Sequence, residues 1–464
     1  MSGFTRDLTE GSVTRQLLRF SVPFLLSNLL QALYNMADML IVGQFCGMVG
    51  TSAVGIGGQI TILLLNLVSG LAVGGTVMIA QYTGARQTER VKATIGTMFT
   101  LYAVAAALLT AIMLLTTDPL LKLMNTPSES FAEARAYLLI CMSGTVFVFG
   151  YNAVSAVLRG MGDSRHPLMF VAIAAGVNVV LDLVLVGGFR MGAAGAAWAT
   201  IFAQAVSFVM SVIFLRRNDF VFDFKPRSFR VDRGLAAQLL RLGIPSSLQG
   251  TLVSVSFMFL SAMANSLAGL IGSSAVSIAG KVNSIAILPS MAMQASVSSM
   301  AGQNIGAGKM ERARRTLHVA TAIAVAMSTA ILMVVQLFPQ ELVALFIGAT
   351  DDIAPAERAK CIEQSALYLR GMSVEYPLTG FLFCLNGLII GAGKTFVSFC
   401  TAAISSLLLR IPAAYVLGSV LALGLGGLGF AAPVATVFSL IVSAVYYFSG
   451  RWKRGNLTGC AVEG

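Results

Sequence analysis

Residues 17–90 recur without a gap at residues 239–312. The shift is 222 residues, and 20 of the 74 paired positions are identical. LLRFSVP (17–23) meets LLRLGIP (239–245), GTSAVGIGG (50–58) meets GSSAVSIAG (272–280), and QYTGARQTER (81–90) meets QNIGAGKMER (303–312). Apolar low complexity alone does not bring Pro23 onto Pro245, Gln81 onto Gln303 and Glu89-Arg90 onto Glu311-Arg312 in one register. The likeness weakens afterwards but continues. GMGDS (160–164) resembles GAGKT (391–395) at a shift of 231, and GAAGAAWAT (192–200) resembles LGGLGFAAPVAT (425–436) at about 234. A chain written twice from one unit is expected to fold as two similar halves.

The unit itself is apolar. Of 464 residues, 56% are hydrophobic and only 11% charged, with a mean hydropathy of +0.82. Soluble domains carry about 25% charged residues, so the composition points to a membrane protein. Twelve apolar runs of about 20 residues or more, the first at 21–43 and the last at 426–448, predict twelve spanning helices. Six spans per half is an even number, which makes the two repeats parallel in the membrane. Parallel six-span repeats are a known plan of secondary transporters, with the site near the middle of the bilayer. The expected organisation is an N-terminal lobe at 1–215, a charged cytoplasmic linker at 216–238 and a C-terminal lobe at 239–464. The fold class is therefore all-α, with twelve transmembrane helices in two six-helix lobes around a central cavity.

The formal charge of +11 records topology rather than a nucleic-acid partner. With both termini in the cytoplasm, 23 of the 31 Lys and Arg residues fall on the cytoplasmic side. Five fall outside and three, Lys281, Arg370 and Arg410, fall within spans. This is the positive-inside rule. The first span is too long, and too closely preceded by Arg6, Arg15 and Arg19, to read as a cleavable signal peptide. Six cysteines form no C-x-x-C pair and read as packing thiols. The two histidines, His166 and His318, have no metal-ligand neighbours. With no H-E-x-x-H and no nucleophile–base pair, neither a metal centre nor an enzyme is expected.

Only three acids lie within spans: Asp38, Asp182 and Glu375. A charged side chain at the bilayer centre costs at least ~2.5–3.5 kcal/mol on insertion scales, so each is a functional candidate. Asn28, Gln31, Asn35 and Asp38 follow at spacings of three, four and three, on one helical face. Asn178 and Asp182 stand one turn apart, and Thr200 closes GAAGAAWAT. Two carboxylates, an amide and a hydroxyl are hard oxygen ligands suited to an alkali cation or to proton storage. Taken singly, either acid could instead be a helix-packing group satisfied by neighbouring amides. Gln31, Tyr34, Asn35 and Asn152 are candidates to line a cavity, as are Met258 and Met291, whose thioethers adapt to varied apolar shapes. Under the repeat, Asp38 maps to Leu260 and Gln59 to Lys281, so the second half has other chemistry. Lys281, Glu375 and Arg410 form its candidate charged site, as a second coupling site or as a structural bridge.

Taken together, FSVPFLLSNLLQALYNMADMLIVG, the GQNIGAGKMERA loop, the LRGMGDSRHP turn and GAAGAAWAT resemble the multidrug and toxic compound extrusion (MATE) transporters, in particular the DinF-like prokaryotic branch. The resemblance covers essentially the whole chain. It implies a secondary exporter of amphipathic or cationic small molecules, driven by H+ or Na+, that needs no cofactor. It also implies an N-lobe cation site at Asp38 and Asp182 with Asn178 and Thr200 beside them. The implied location is the bacterial inner membrane, and the implied working unit a monomer. The competing expectation is a lipid-linked oligosaccharide flippase of a related superfamily, which would favour a more cationic cavity.

Overall fold

The computed structural model describes residues 6–218, 220–346, 355–454 and 457–458. Cys460 lies outside them. Among the described residues the chain is predominantly helical and contains no strand. Spanning segments in lipid must satisfy every backbone group internally, and a run of apolar helices does so.

The chain divides into two compact units. The first comprises residues 1–9 and 22–247, the second residues 10–21 and 248–464. The first unit holds most of α1 (Val13–Gly84), then α2 (Thr88–Leu123), α3 (Ser128–Ser143), α4 (Thr145–Gly160), α5 (Arg165–Asp182) and α6 (Gly192–Arg217). The second holds most of α7 (Arg233–Ala286), then α8 (Leu288–Gly306), α9 (Met310–Leu337), α10 (Pro339–Ala344), α11 (Pro355–Ser373), α12 (Glu375–Gly391), α13 (Thr395–Ala403), α14 (Ile411–Tyr415) and α15 (Gly424–Phe448). Among the described residues, eight helices are long and apolar enough to cross a membrane, and two bent pairs raise the number to ten. The pairs are α3 with α4, bent by 48°, and α11 with α12, bent by 41°. Two of the long helices are themselves broken, α1 at Gly47 and α7 at Ala268–Gly269. Counting each broken helix as two crossings gives the twelve read from sequence.

The breaks show that the repeat is structural. Gly47 (φ 62°, ψ −156°) and Gly269 (φ 57°, ψ −141°) lie 222 residues apart and share a backbone conformation open only to glycine. Further along, Gly160 packs against the Thr76 carbonyl and Gly391 against the Ser298 carbonyl, again partners 222 apart. Gly162 and Gly393 both take positive φ at a shift of 231. Arg190 and Ala422 share φ near +53°, and Gly192 and Gly424 φ near +61°, at a shift of 232. Gly195 closes on the Leu185 carbonyl as Gly427 closes on that of Leu417, which fixes 232 for this segment too. The register of about 234 suggested by the small residues of GAAGAAWAT is corrected accordingly, because Gly-rich strings slide past one another without a sequence penalty.

One residue is thus gained in the second half between Gly393 and Leu417. The extra residue has a visible address. Ile404–Arg410 is a π-helical segment, whereas the corresponding stretch of α5 is ordinary α-helix. Hydrogen bonds from i to i+5 take one more residue into the turn. A second π segment, Val416–Val420, matches Leu183–Gly188 in the first half.

At Gly47 an added Cβ would meet nothing within 4 Å, so the cost of a side chain there lies in the backbone alone. Gly47→Ala is expected to lower stability by ~1–3 kcal/mol, and Gly269→Ala by a similar amount, seen as a drop in unfolding temperature of the purified protein.

At the turn that launches α5, Asp163 Oδ1 accepts the Arg165 N–H at 2.9 Å and its other oxygen meets the His166 ring. Burial alone would push this carboxyl up. The His166 ring and the two backbone N–H groups of Arg165 and His166 outweigh burial and hold it below the usual range. The sign follows from linkage: a lowered folded-state value stabilises above the unfolded value and is lost as pH falls through the folded one. Asp163→Ala should therefore cost ~1–2 kcal/mol at neutral pH, a gap that closes below about pH 4 in thermal unfolding.

Candidate functional site

In the first unit, α1 and α5 bring Asp38 and Asp182 face to face, within hydrogen-bonding reach. Asp182 is fully buried, and Asp38 is half-buried. No hydrogen-bond donor reaches Asp38 Oδ1 or either oxygen of Asp182 among the described residues. Asn178, one turn before Asp182, is 2% exposed, and both polar atoms of its amide are also unpartnered. Five orphaned polar atoms in one lobe are costly, since each unmade hydrogen bond of a buried group forfeits about 1–3 kcal/mol. Two like charges about 4 Å apart add repulsion on the order of 4 kcal/mol at an effective dielectric of about 20. A proton or a cation between the carboxylates removes both penalties.

Sequence reasoning missed two neighbours. Tyr137 of α3, buried among apolar side chains, lies in electrostatic range of both acids, with its hydroxyl against the Cys141 thiol. Gln204 of α6 stands beside the Tyr34 hydroxyl, which also meets Gln31. Gln204 carried a signal, a lone amide one turn after Thr200 in an apolar helix. Tyr137 carried none.

The remaining candidates are dispersed. Thr200 is half-buried on α6 and does not hydrogen-bond to Asp182, whose oxygens have no donor. Gln31 and Asn35 are exposed on the first unit, and the Asn152 amide donates to its own helix at the Val148 carbonyl. Met258 and Met291 are exposed on the second unit, at 69% and 44%.

The second unit buries a charged pair. Arg410 Nη2 lies 4.0 Å from Glu375 Oε2, and the Thr436 hydroxyl donates to that same oxygen at 3.2 Å. The Phe257 ring covers the guanidinium at 5.1 Å. Lys281 does not join them: it is exposed, and Asn283, two residues on, faces the pair's cavity instead.

Comparison with known proteins fits this architecture. The MatE family model matches residues 23–184 and 245–416, one match in each half. The chain belongs to the MATE family. It is a multi-pass membrane transporter and not an enzyme. It is 31% identical over 450 residues to the probable multidrug resistance protein YpnP of Bacillus subtilis, covering 96% of this chain and 97% of that one. It is 25% identical to the probable multidrug resistance protein NorM of Thermotoga maritima, covering 96% and 95%. Among solved structures, a MATE protein in complex with MaL6 superposes with a TM-score of 0.90 at 25% identity, over 97% of this chain and 99% of that one. An outward-facing multidrug resistance MATE transporter superposes at 0.89, also at 25% identity, covering 97% and 98%.

Proposed function

We propose that this transporter is a secondary active multidrug exporter, exchanging amphipathic or cationic small molecules for H+ or Na+ across a bacterial cytoplasmic membrane. The observation that carries this reading is the Asp38–Asp182 pair, two facing carboxylates with no protein donor. An exchangeable cation supplies what the protein withholds. A cation bound from outside holds α1 and α5 together at the acids, and its release inside frees them, so occupancy favours one arrangement of the lobe over another. Substrate and cation exchange by competing for these arrangements, in an alternating-access cycle without covalent chemistry. Gln31, Tyr34 and Asn35 share the face of α1 that carries Asp38, and they offer polar contacts to a substrate. Thr200 supplies a further oxygen on approach of a cation. The names of the relatives, including the Staphylococcus aureus multidrug export protein MepA, support the substrate class. Both termini lie on the cytoplasmic side, and one chain is the working unit.

A flippase for lipid-linked oligosaccharides is disfavoured, because facing carboxylates repel a diphosphate. The deciding experiment uses proteoliposomes loaded with a cationic dye, with the proton and sodium gradients imposed separately. One gradient should drive dye movement and the other should not. Dye movement indifferent to both gradients would overturn the reading.

A further inference from the structure

The two halves place polar groups at corresponding positions but differ in the charge around them. At the shift of 232 that holds around Gly424, Asn178 corresponds to Arg410 and Gln204 to Thr436. The first unit surrounds its amides with two acids that lack donors. The second unit presents a guanidinium two of whose nitrogens lack acceptors. Arg410 is 8% exposed, and its Nε and Nη1 are buried with no hydrogen-bond partner among the described residues. Glu375 engages only Nη2, at 4.0 Å, a separation longer than a hydrogen bond.

These donors border a cavity of about 120 Å³ lined by α7, Ile287, α12, α13, the π segment and α15. Gln249 and Asn283 supply amides to its wall, and Ser405, Ser406 and Thr401 line it further. The Asn283 carbonyl oxygen is itself buried and unpartnered. A water needs about 10–15 Å³ of such space and ligand pockets run to about 300–1,000 Å³, so the cavity has room for a small ion with a few waters and not for a drug. Buried cationic donors facing amides and hydroxyls are the complement of an anion. Apart from Glu375, no acid lines the space.

We propose that this cavity binds a small monovalent anion, chloride being the abundant one, at the unpartnered face of Arg410. The anion satisfies the guanidinium where Glu375 does not reach. The π turn at Ile404–Arg410 supplies the extra residue just before this guanidinium. This site is independent of the acid pair in the first unit, so cation coupling and anion binding are separable by mutation.

The test is halide binding to the full-length protein in detergent, exchanged from gluconate into chloride or bromide at constant ionic strength. Binding is read by calorimetry and by the unfolding temperature. The wild type should show a saturable response within ~100 mM halide and none to gluconate. Glu375→Gln leaves the guanidinium without its carboxylate and should bind roughly tenfold or more tightly. The double variant R410Q/E375Q leaves a neutral cavity, avoids an orphaned charge and should lose the response. Asp38→Asn should retain it. A wild type that ignores halide, or a double variant that responds as the wild type does, would overturn the proposal.

Discussion

Asp182→Asn should reduce ion-driven export to the passive rate while leaving the protein folded in the membrane. An amide at this position cannot hold a proton or supply the charge that binds an alkali cation, so gradient energy no longer reaches the substrate. A membrane potential of 100 mV contributes about 2.3 kcal/mol per charge moved, roughly a fifty-fold concentration ratio. That ratio should collapse towards unity in the variant, measured as steady-state dye distribution in proteoliposomes. Asp38→Asn should do the same. The double variant should be no worse than either single one, because the carboxylates act as one site and losses within one site do not add. Full export in either single variant would remove the acid pair from the mechanism.

The second large effect concerns stability. Arg410→Gln leaves Glu375 as a buried carboxylate with only the Thr436 hydroxyl to meet it. Removing one partner of a buried ion pair typically costs ~3–5 kcal/mol, whereas replacing both can be neutral. Arg410→Gln is therefore expected to accumulate poorly and unfold at a markedly lower temperature. Adding Glu375→Gln should restore most of the loss. A double variant no more stable than the single one would show that the arginine matters for packing against Phe257 rather than for charge.

The sequence made some of this legible and hid the rest for physical reasons. A carboxylate in an apolar run is conspicuous because its cost in lipid is large, so Asp38, Asp182 and Glu375 stand out unaided. Their grouping depends on which helices meet, and that contact is made by apolar and small residues spread along the chain. Tyr137 is the result: a tyrosine between apolar neighbours has no periodic signature, and only the fold of α3 brings it to the acids. Lys281 shows the opposite error. A cation within a span is expected to seek an acid, yet its side chain lies on an exposed face and leaves the charged cavity to Asn283. The repeat revealed the two halves, and it aligned Gly47 with Gly269. That both glycines break their helices required the backbone angles, since a glycine in an apolar helix is otherwise unremarkable.

The π turn before Arg410 also bears on how two copies of one ancestral unit can part company. A single additional codon in a regular α-helix would turn everything after it by about 100° on the helical wheel. Here the wide turn takes up the extra residue, and the chain beyond it stays in step: Gly424 keeps the backbone of Gly192, and Gly427 the close contact of Gly195. The insertion is thereby contained within one turn. That turn alone can offer a cavity a side chain the earlier copy never presented, while the remaining walls keep their old directions.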